Sequence, residues 1–200
     1  MASLVLKMSV SLDGYVAPAD GSSDWAAAGR CADGLSWTLE TLGNASAHLV
    51  GAATYTVWAD YWPSAPGPLA GPMNDIPKVV FSNSLTSADW GDTTIAAGDL
   101  TQAVTRLKRE HPGGYLLAHG GTRLARSLVQ AGLVDEYRLV THPVILGAGE
   151  RLFRTPLTLQ PTSTTAFSAG AVAHVFTAAP ASPAALTTPA AVASPAAPAS

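Results

Sequence analysis

One segment in the second half of the chain joins an apolar strand to an amphipathic helix through two glycines. The apolar run Tyr115 to Ala118 predicts a strand, and His119-Gly120-Gly121 after it predicts a tight turn. Thr122 to Gln130 then has the spacing of a helix, which Gly132 ends. Strands that alternate with helices form parallel sheets, because parallel strands need a long crossover connection. This segment therefore points to an α/β fold.

The same alternation extends over most of the sequence. Leu4 to Val10 has the two-residue period of a strand, which breaks at Asp13-Gly14. Further strands are predicted at Ala47–Gly51, Lys78–Phe81, Ile95–Ala97, Glu136–His142 and Ala171–Thr177. Further helices are predicted around Leu35–Leu42 and from the N-cap Asp99 to about His111. Together these elements predict a mostly parallel central sheet with an antiparallel C-terminal edge and helices on both faces.

The end of the chain has a different composition. Residues 179–200 are almost entirely Ala, Pro, Ser and Thr, without a charged or aromatic side chain. Such a segment cannot bury enough apolar surface to offset the conformational entropy lost on folding. We therefore predict one domain over residues 1–178, followed by a disordered tail over residues 179–200.

Charge and cysteine content exclude several classes of protein. The 11 Lys and Arg residues are scattered and the net charge is −3, so no basic stripe is available for nucleic acid. No apolar run approaches the roughly 20 residues that a membrane-spanning helix needs. The single cysteine, Cys31, cannot form an intrachain disulfide, which fits a reducing cytoplasm. We expect a cytoplasmic protein that binds a small molecule, and neither nucleic acid nor a membrane.

The sequence also lacks the motifs of metal enzymes and serine hydrolases. Its histidines are His48, His111, His119, His142 and His174, and none has a spacing that places two metal ligands on one face. We expect no metal site, and we expect each histidine to be structural or at the surface. The segment most similar to a nucleophile elbow, around Ser168, lacks the first glycine of that motif.

The turn at Gly120-Gly121 has the chemistry of a phosphate site. Free N–H groups and the positive end of the helix dipole follow the two glycines directly, although no G-x-G-x-x-G motif is present. A plain tight turn is the alternative interpretation. Arg123 favours the phosphate, because an arginine in the first helical turn opposes the dipole unless it faces an anion.

Five segments occur in the order found in the dihydrofolate reductase-like family. They are SLDGYVA (Ser11–Ala17), LVGAATY (Leu49–Tyr55), VVFSNSL (Val79–Leu85), HGGTRLARSLVQAGLVDEYRL (His119–Leu139) and PVILGAGERLF (Pro143–Phe153). Over about residues 3–178 the chain resembles this family, and its riboflavin-pathway reductase branch in particular. The resemblance implies a three-layer fold, a homodimer, and a reductase that uses NADPH, with NADH as the alternative cofactor. The implied substrate is a small heterocycle or a ribosyl-pyrimidine.

The resemblance also implies which residues bind the cofactor. In the family the Gly-Gly turn holds the pyrophosphate and its peptide bond is often cis, which matches Gly120 and Gly121 followed by Thr122 and Arg123. A second turn usually reads G-R-x-T. Its counterparts here are Gly51 and Thr54, with Ala52 in place of the arginine, which weakens the expected preference for NADPH over NADH. The polar pair that meets the adenine ribose and its 2′-phosphate is matched by Ser82 and Asn83, for which a simple turn is the alternative.

The resemblance places the reacting end at the loops after the first and the sixth predicted strands. Asp13 is the candidate catalytic residue, binding substrate or relaying a proton, although Asp-Gly alone is a turn signal. The candidate substrate-binding residues are Gly14, Trp25, Gly147 and Gly149. Arg151 meets either an anionic substrate group or solvent. Glu40 is the only acid expected inside the first helix, so we do not expect a folate substrate.

Two functions from different classes remain open. One is a stand-alone reductase, since a single cysteine cannot supply the zinc motif of the deaminase that is fused to many riboflavin-pathway reductases. The other is a non-catalytic nucleotide- or ligand-binding domain that keeps the reductase fold. The Gly120-Gly121-Thr122-Arg123 turn favours the enzyme.

Overall fold

The structure is a computed structural model that describes residues 1–22 and 24–178. The predicted disordered tail, residues 179–200, lies outside the described residues. The strands are β1 (Leu4–Ser11), β2 (Tyr15–Ala17), β3 (Ala45–Gly51), β4 (Lys78–Phe81), β5 (Thr93–Ala96), β6 (Tyr115–His119), β7 (Glu136–His142), β8 (Glu150–Arg151), β9 (Leu159–Ala166) and β10 (Val172–Ala178). The helices are α1 (Ala32–Gly43), α2 (Ala52–Tyr61), α3 (Ala70–Asp75), α4 (Leu100–Glu110) and α5 (Thr122–Gln130), with short 3-10 helices at Asp24–Gly29 and Trp62–Ser64.

Eight of the described strands form one sheet in the order β5-β4-β3-β6-β1-β7-β10-β9. The pairs from β5 to β7 are parallel, whereas β10 runs antiparallel to both β7 and β9. β2 and β8 form a separate small antiparallel sheet. The predicted parallel sheet with an antiparallel C-terminal edge is confirmed.

Helices cover both faces of this sheet. In β6, Leu116 and Ala118 pack with apolar residues of α4 and α5, whereas Leu117 between them packs with residues of α1, α2 and α3. Because successive strand residues point to opposite faces, α4 and α5 lie on one face and α1 to α3 on the other. Leu116 and Leu117 are fully buried, which stabilises the fold by about 1.5–3 kcal/mol for each such side chain. The result is the three-layer arrangement that the resemblance implied.

Three strands have no counterpart among the predicted ones. β9 carries Pro161 and mostly polar residues, and every residue after Leu159 is exposed, so it has no apolar alternation to detect. Its pairing with β10 makes it a strand. β2 and β8 contain only three and two residues, too few for a period. Among the described helices, none is long and apolar enough to cross a membrane.

Candidate functional site

A crevice opens where the helices after two neighbouring strands diverge. β3 leads into α2 on one face of the sheet, and β6 leads into α5 on the other. In open parallel sheets this divergence at the carboxyl ends of the strands creates a place for ligands. Gly51 at the end of β3 and the Gly120-Gly121 turn after β6 line the crevice together. The fold thus brings together two predicted cofactor elements that are distant in the sequence.

Each glycine of the turn is required by a side chain of α2. Gly120 has a φ of +77°, and a Cβ there would lie 2.7 Å from Trp58 Cζ2. A Cβ at Gly121 would collide with Thr54 Oγ1. The sequence suggests that these glycines leave space for a phosphate, but α2 already occupies the space beside them. The peptide bond between the two glycines is trans, in contrast to the cis bond that is frequent in the family.

Ser82, Asn83 and Arg123 meet at one cavity of about 280 Å³, which Gly51 also lines and which we call the outer cavity. Ser82 Oγ accepts hydrogen bonds from N–H groups of the turn that follows it. Asn83 Oδ1 accepts one from the N–H of Gly98 at 2.8 Å. Both side chains therefore act as turn residues. The Asn83 amide nitrogen still has no partner within the described part of the chain, so it can donate to a ligand.

Helix α5 begins at this cavity without a capping side chain. Its N-cap is Gly121, which offers none. The first N–H groups of the helix therefore have no intrahelical partner, and they coincide with the positive end of the helix dipole. Arg123 lies in this first turn and is exposed. The combination suits a phosphate.

Two further cavities lie beyond the Gly-Gly turn, one lined by the turn itself and one adjoining the first. The turn cavity, about 320 Å³, is lined by Gly120, Gly121, Thr122 and Trp25 among others. The inner cavity, about 400 Å³, lies where β1, β7 and α1 meet the 3-10 helix Asp24–Gly29. Lys7, Ser9 and Ala26 line both cavities, so the two adjoin. No Asp or Glu occurs among the described residues that line either one.

Lys7 is the cation at the junction of the turn and inner cavities. Burial lowers the pKa of Lys7 to about 8, because a charged ammonium is poorly solvated there. Within residues 1–22 and 24–178, Lys7 has no ion pair. The ammonium group is therefore available to an anionic or oxygen-rich ligand.

Two histidines, His48 and His119, lie beside Lys7 with their rings in contact at a tilt of 52°. His119 Nε2 lies 2.9 Å from His48 Nδ1, and His48 Nε2 lies 3.3 Å from the carbonyl oxygen of Pro72. Because a carbonyl only accepts, His48 carries its proton on Nε2, and His119 donates from its own Nε2. Burial lowers the pKa of His48 to about 4 and that of His119 well below its usual value, so both rings are neutral. His119 lines the turn cavity, with Nδ1 left as an acceptor.

A third histidine, His142, ends β7 and lines the inner cavity. Its Nε2 lies 3.1 Å from Ser9 Oγ, and the ring of Trp25 makes an edge contact with it at a centroid distance of 5.4 Å. Its Nδ1 is buried and has no hydrogen-bond partner among the described residues. Burial, followed by the charges of Lys7 and Arg30, lowers the pKa of His142. The ring is therefore neutral.

Asp13 joins the loop after β1 to the loop after β7. Its Oδ1 accepts hydrogen bonds from the Ser11 hydroxyl at 2.6 Å and from the N–H of Leu146 at 3.1 Å. Its Oδ2 accepts the N–H of Gly147 at 2.8 Å. The Ser11 bond, with a smaller contribution from the two N–H bonds, lowers the pKa of Asp13 to about 2. An ionised carboxylate engaged in this way holds two loops together, and the catalytic role of Asp13 stays a prediction.

Three glycines predicted to contact substrate do not line the turn or inner cavity; they are Gly14, Gly147 and Gly149. Gly149 has a φ of +140°, and a Cβ there would collide with the carbonyl oxygen of Ala17. Beside it, the Arg151 guanidinium stacks over the ring of Tyr15 at 4.3 Å from the centroid. These contacts shape the corner formed by β2 and β8. Of the predicted substrate-binding residues, Trp25 is the one that lines the turn cavity.

Helix α1 contains two acidic residues, not only the expected Glu40, because it begins at Ala32. Asp33 accepts hydrogen bonds from the Ser168 N–H at 2.7 Å and from its hydroxyl at 2.9 Å. It thereby joins α1 to the turn before β10. Glu40 is exposed, and neither acid lines the inner cavity.

The cavities also contain polar residues that the sequence patterns did not single out, among them Lys7, Ser9, His119 and His142. A signal for two of them was present in the central strand β1, where Lys7, Ser9 and Ser11 follow each other at the two-residue period of one face. Polar residues on a buried strand need partners, so such a row indicates a site. His119 and His142 are the last residues of β6 and β7. A search for pairs of histidines at short spacings does not find residues that are singled out by their place at the end of a strand.

Comparison with known proteins identifies relatives over most of the chain. The family model of the RibD C-terminal domain matches residues 2–173. The uncharacterized protein YyaP of Bacillus subtilis (strain 168) is 29% identical over 181 residues, covering 86% of this chain and 93% of the relative. A Shewanella sp. PV-4 protein assigned to riboflavin biosynthesis superposes with a TM-score of 0.70 at 19% identity, covering 89% of this chain and 99% of that one. A deaminase and 5-amino-6-(5-phosphoribosylamino)uracil reductase of Thermotoga maritima superposes with a TM-score of 0.64 at 16% identity, covering 89% of this chain and 57% of that one.

Proposed function

Because the chain belongs to the RibD C-terminal domain family, we propose that it is a reductase that uses NADPH, with NADH as the alternative cofactor. Its substrate would be a small heterocycle or a ribosyl-pyrimidine. One observation supports this above all: three cavities follow one another, and each shares lining residues with the crevice or with the next cavity. Gly51 lines the outer cavity and the crevice, Gly120 the crevice and the turn cavity, and Lys7 the turn and inner cavities. The outer and turn cavities, on either side of the crevice, would take the two ends of a dinucleotide, and the inner cavity would take a second small molecule.

The residues that line these cavities have the chemistry that a dinucleotide requires. The uncapped start of α5 and the side chain of Arg123 would hold the pyrophosphate. Ser82 and Asn83 would approach the adenine ribose and its phosphate from the outer cavity. Ala52 has no donor for that phosphate, so the preference for NADPH over NADH should be small. When bound, the nicotinamide supplies the hydride.

The chain's own residues would bind, orient and shield the substrate. Lys7, protonated at neutral pH, offers a charge and a proton where the turn and inner cavities adjoin. The neutral ring of His119 offers an acceptor nitrogen on the wall of the turn cavity. Trp25 restricts the access of water to the same space.

The inner cavity favours an oxygen-rich substrate. Lys7 and Arg30 line it, and no carboxylate is found among its described lining residues. Folate-reducing relatives protonate a pterin through a carboxylate on the first helix, but here both acids of α1 lie outside the cavity. A phosphoribosylamino-pyrimidine, whose opened ribose would be reduced to ribityl, suits this cavity better than a dihydrofolate.

Calorimetric titration with NADPH and NADH, followed by an oxidation assay, tests the proposal. We expect dissociation constants in the micromolar range. We also expect NADPH oxidation with 5-amino-6-(5-phosphoribosylamino)uracil and none with dihydrofolate. If no dinucleotide binds at millimolar concentration, the reductase proposal fails. The alternative is then a non-catalytic nucleotide- or ligand-binding domain that keeps the fold.

We also propose a homodimer in the cytoplasm, without a nucleic-acid or membrane partner. Leu12 and Ile145 are 65% and 71% exposed. The N–H of Leu12 donates to the carbonyl oxygen of Val144 at 2.8 Å, so both side chains lie at one corner of the molecule. Large apolar side chains exposed together support contact between two copies.

A further inference from the structure

His142 has an unusual hydrogen-bonding state for a residue that is only 2% exposed. Nε2 has a partner in Ser9, whereas the buried Nδ1 has none among the described residues. An unpaired buried polar nitrogen costs folding free energy, because it loses its bond to water without replacement. Native proteins contain few such groups, and those that persist often serve a function. The position of His142 on the wall of the inner cavity gives it a place for that function.

The surroundings of the ring indicate which kind of group would pair with Nδ1. Lys7 and Arg30 line the same cavity, and both are cations, although Arg30 lies 3.9 Å from the carboxylate of Asp24. Thr38, also on the wall, donates its hydroxyl proton to the carbonyl oxygen of Gly34 at 2.9 Å. Since the described lining residues include no carboxylate, the cavity attracts ligand oxygens that accept hydrogen bonds.

A ligand oxygen that accepts a hydrogen bond from Nδ1 requires a proton on that nitrogen. Ser9 can select the tautomer that has it. The hydroxyl of Ser9 can donate to Nε2, since a serine hydroxyl is both a donor and an acceptor. With Nε2 accepting, the neutral ring carries its only proton on Nδ1. His119 has the opposite tautomer. Its Nε2 carries the proton and donates to His48, which leaves its Nδ1 as the acceptor.

We propose that His142 determines substrate specificity by donating a hydrogen bond from Nδ1 to an acceptor oxygen of a substrate in the inner cavity. Ser9 is the positioning residue that sets the tautomer. The oxygen belongs to a phosphate or a carboxylate of the ligand, and the charge of Lys7 attracts either. That the ligand is the substrate of a reductase rests on the proposed function. The hydrogen-bonding role of the ring does not.

The first test needs no ligand. If His142 serves binding and not stability, replacing the ring and its partner together should remove an unpaired group at no cost. The double variant Ser9→Ala with His142→Leu should therefore melt at the wild-type temperature or above it. A melting temperature lower by several degrees shows that the pair is kept for stability, and it overturns the proposal.

The second test uses inorganic phosphate and acetate as probes, which separates the two oxygen sources. In protein labelled with ¹⁵N-histidine, titration with at least one probe should shift the ring signals of His142 to those of the Nδ1–H tautomer. His142→Asn, which keeps a donor close to the Nδ1 position, should bind that probe within about threefold of wild type. His142→Gln, which reaches the Nε2 position instead, should bind it about tenfold more weakly. His111→Gln, at the C-cap of α4, is the control and should bind as wild type does.

The outcomes separate this inference from the proposed function. If neither probe shifts the His142 signals, or if His142→Gln binds as tightly as wild type, the inference is wrong whatever the result with NADPH. If NADPH does not bind but the probe results are as expected, the reductase proposal falls and the inner cavity remains an anion site that depends on His142.

Discussion

The backbone N–H of Gly147 donates a hydrogen bond to Asp13 Oδ2 over 2.8 Å, and this bond joins the loop after β1 to the loop after β7. The family resemblance implies a catalytic role for Asp13 and a substrate contact for Gly147. In the structure they bind each other, and neither lines the turn cavity or the inner cavity. Their contact fixes the corner of the molecule beside the cavities.

Asp13→Asn is therefore expected to lower the melting temperature at neutral pH. The contribution of the carboxylate is complete above the usual aspartate pKa of about 4, and it is lost as the pH falls toward about 2. The difference in melting temperature between wild type and variant should shrink over that interval. Circular dichroism melts measure it, with Asp60→Asn on the exposed side of α2 as the control. An unchanged melting temperature combined with lost turnover would support the catalytic role instead.

Arg123→Ala should weaken NADPH binding by about 1–3 kcal/mol, the range of one charge-assisted hydrogen bond. Arg106→Ala on α4, where the arginine pairs with Glu110, should leave binding unchanged. Ala52→Arg should raise the ratio of NADPH to NADH affinity, because it restores a phosphate donor. Calorimetry measures all three, and equal affinities of wild type and Arg123→Ala would contradict the assignment. Substitution of Gly121 is not a clean test, since its side chain would collide with Thr54.

Lys7→Met should stabilise the protein and abolish turnover. Burial lowers the pKa of Lys7 from the ordinary lysine value of 10.5 to about 8 in the fold, so burying the charge costs stability below about pH 8. Wild-type stability should rise with pH between those two values, and the variant should lack this rise. The gain at neutral pH is at most about 3 kcal/mol by the linkage relation. Lys108→Met, which loses an ion pair with Asp135, is the control and should not stabilise. Urea unfolding that shows Lys7→Met to be less stable would contradict the burial argument.

His48→Leu should destabilise the protein by about 1–3 kcal/mol, because it leaves the buried Nε2–H of His119 without an acceptor. His48→Asn, which keeps an acceptor close to the Nδ1 position, should cost less. Both rings have a lowered pKa, about 4 for His48, so their contribution is complete above the usual histidine value of about 6.5. It is lost as the pH falls toward 4. Denaturant titrations across this interval measure the loss, and equal effects of Leu and Asn would argue against the hydrogen bond.

The homodimer prediction is tested by light scattering at micromolar protein concentration. Wild type should have twice the mass of the chain. Ile145→Asp should give a folded monomer, because a charge in an apolar contact is costly to bury. Val57→Asp, at an equally exposed apolar residue of α2, is the control and should remain dimeric. A monomeric wild type would contradict the prediction.

The sequence by itself determined the α/β class and most of the parallel sheet. Apolar periodicity reports which residues must be buried, and the alternation of short apolar runs with amphipathic helices leaves few ways to bury them. The strand at Leu4–Val10 and the helix at Thr122–Gln130 follow from that pattern, and the structure has both. β9 could not be found in this way, because its polar residues form a strand only through pairing with β10.

Only the tertiary structure decided what the individual polar residues contact. The register of β1 against β6 places Lys7 beside His119, and the pairing of β1 with β7 brings Ser9 to His142. These neighbours are more than a hundred residues apart in the chain. Whether a carboxylate such as Asp13 meets solvent, substrate or another loop depends on such long-range neighbours. No local pattern encodes them, because side-chain contacts follow from strand order and register and not from spacing along the sequence.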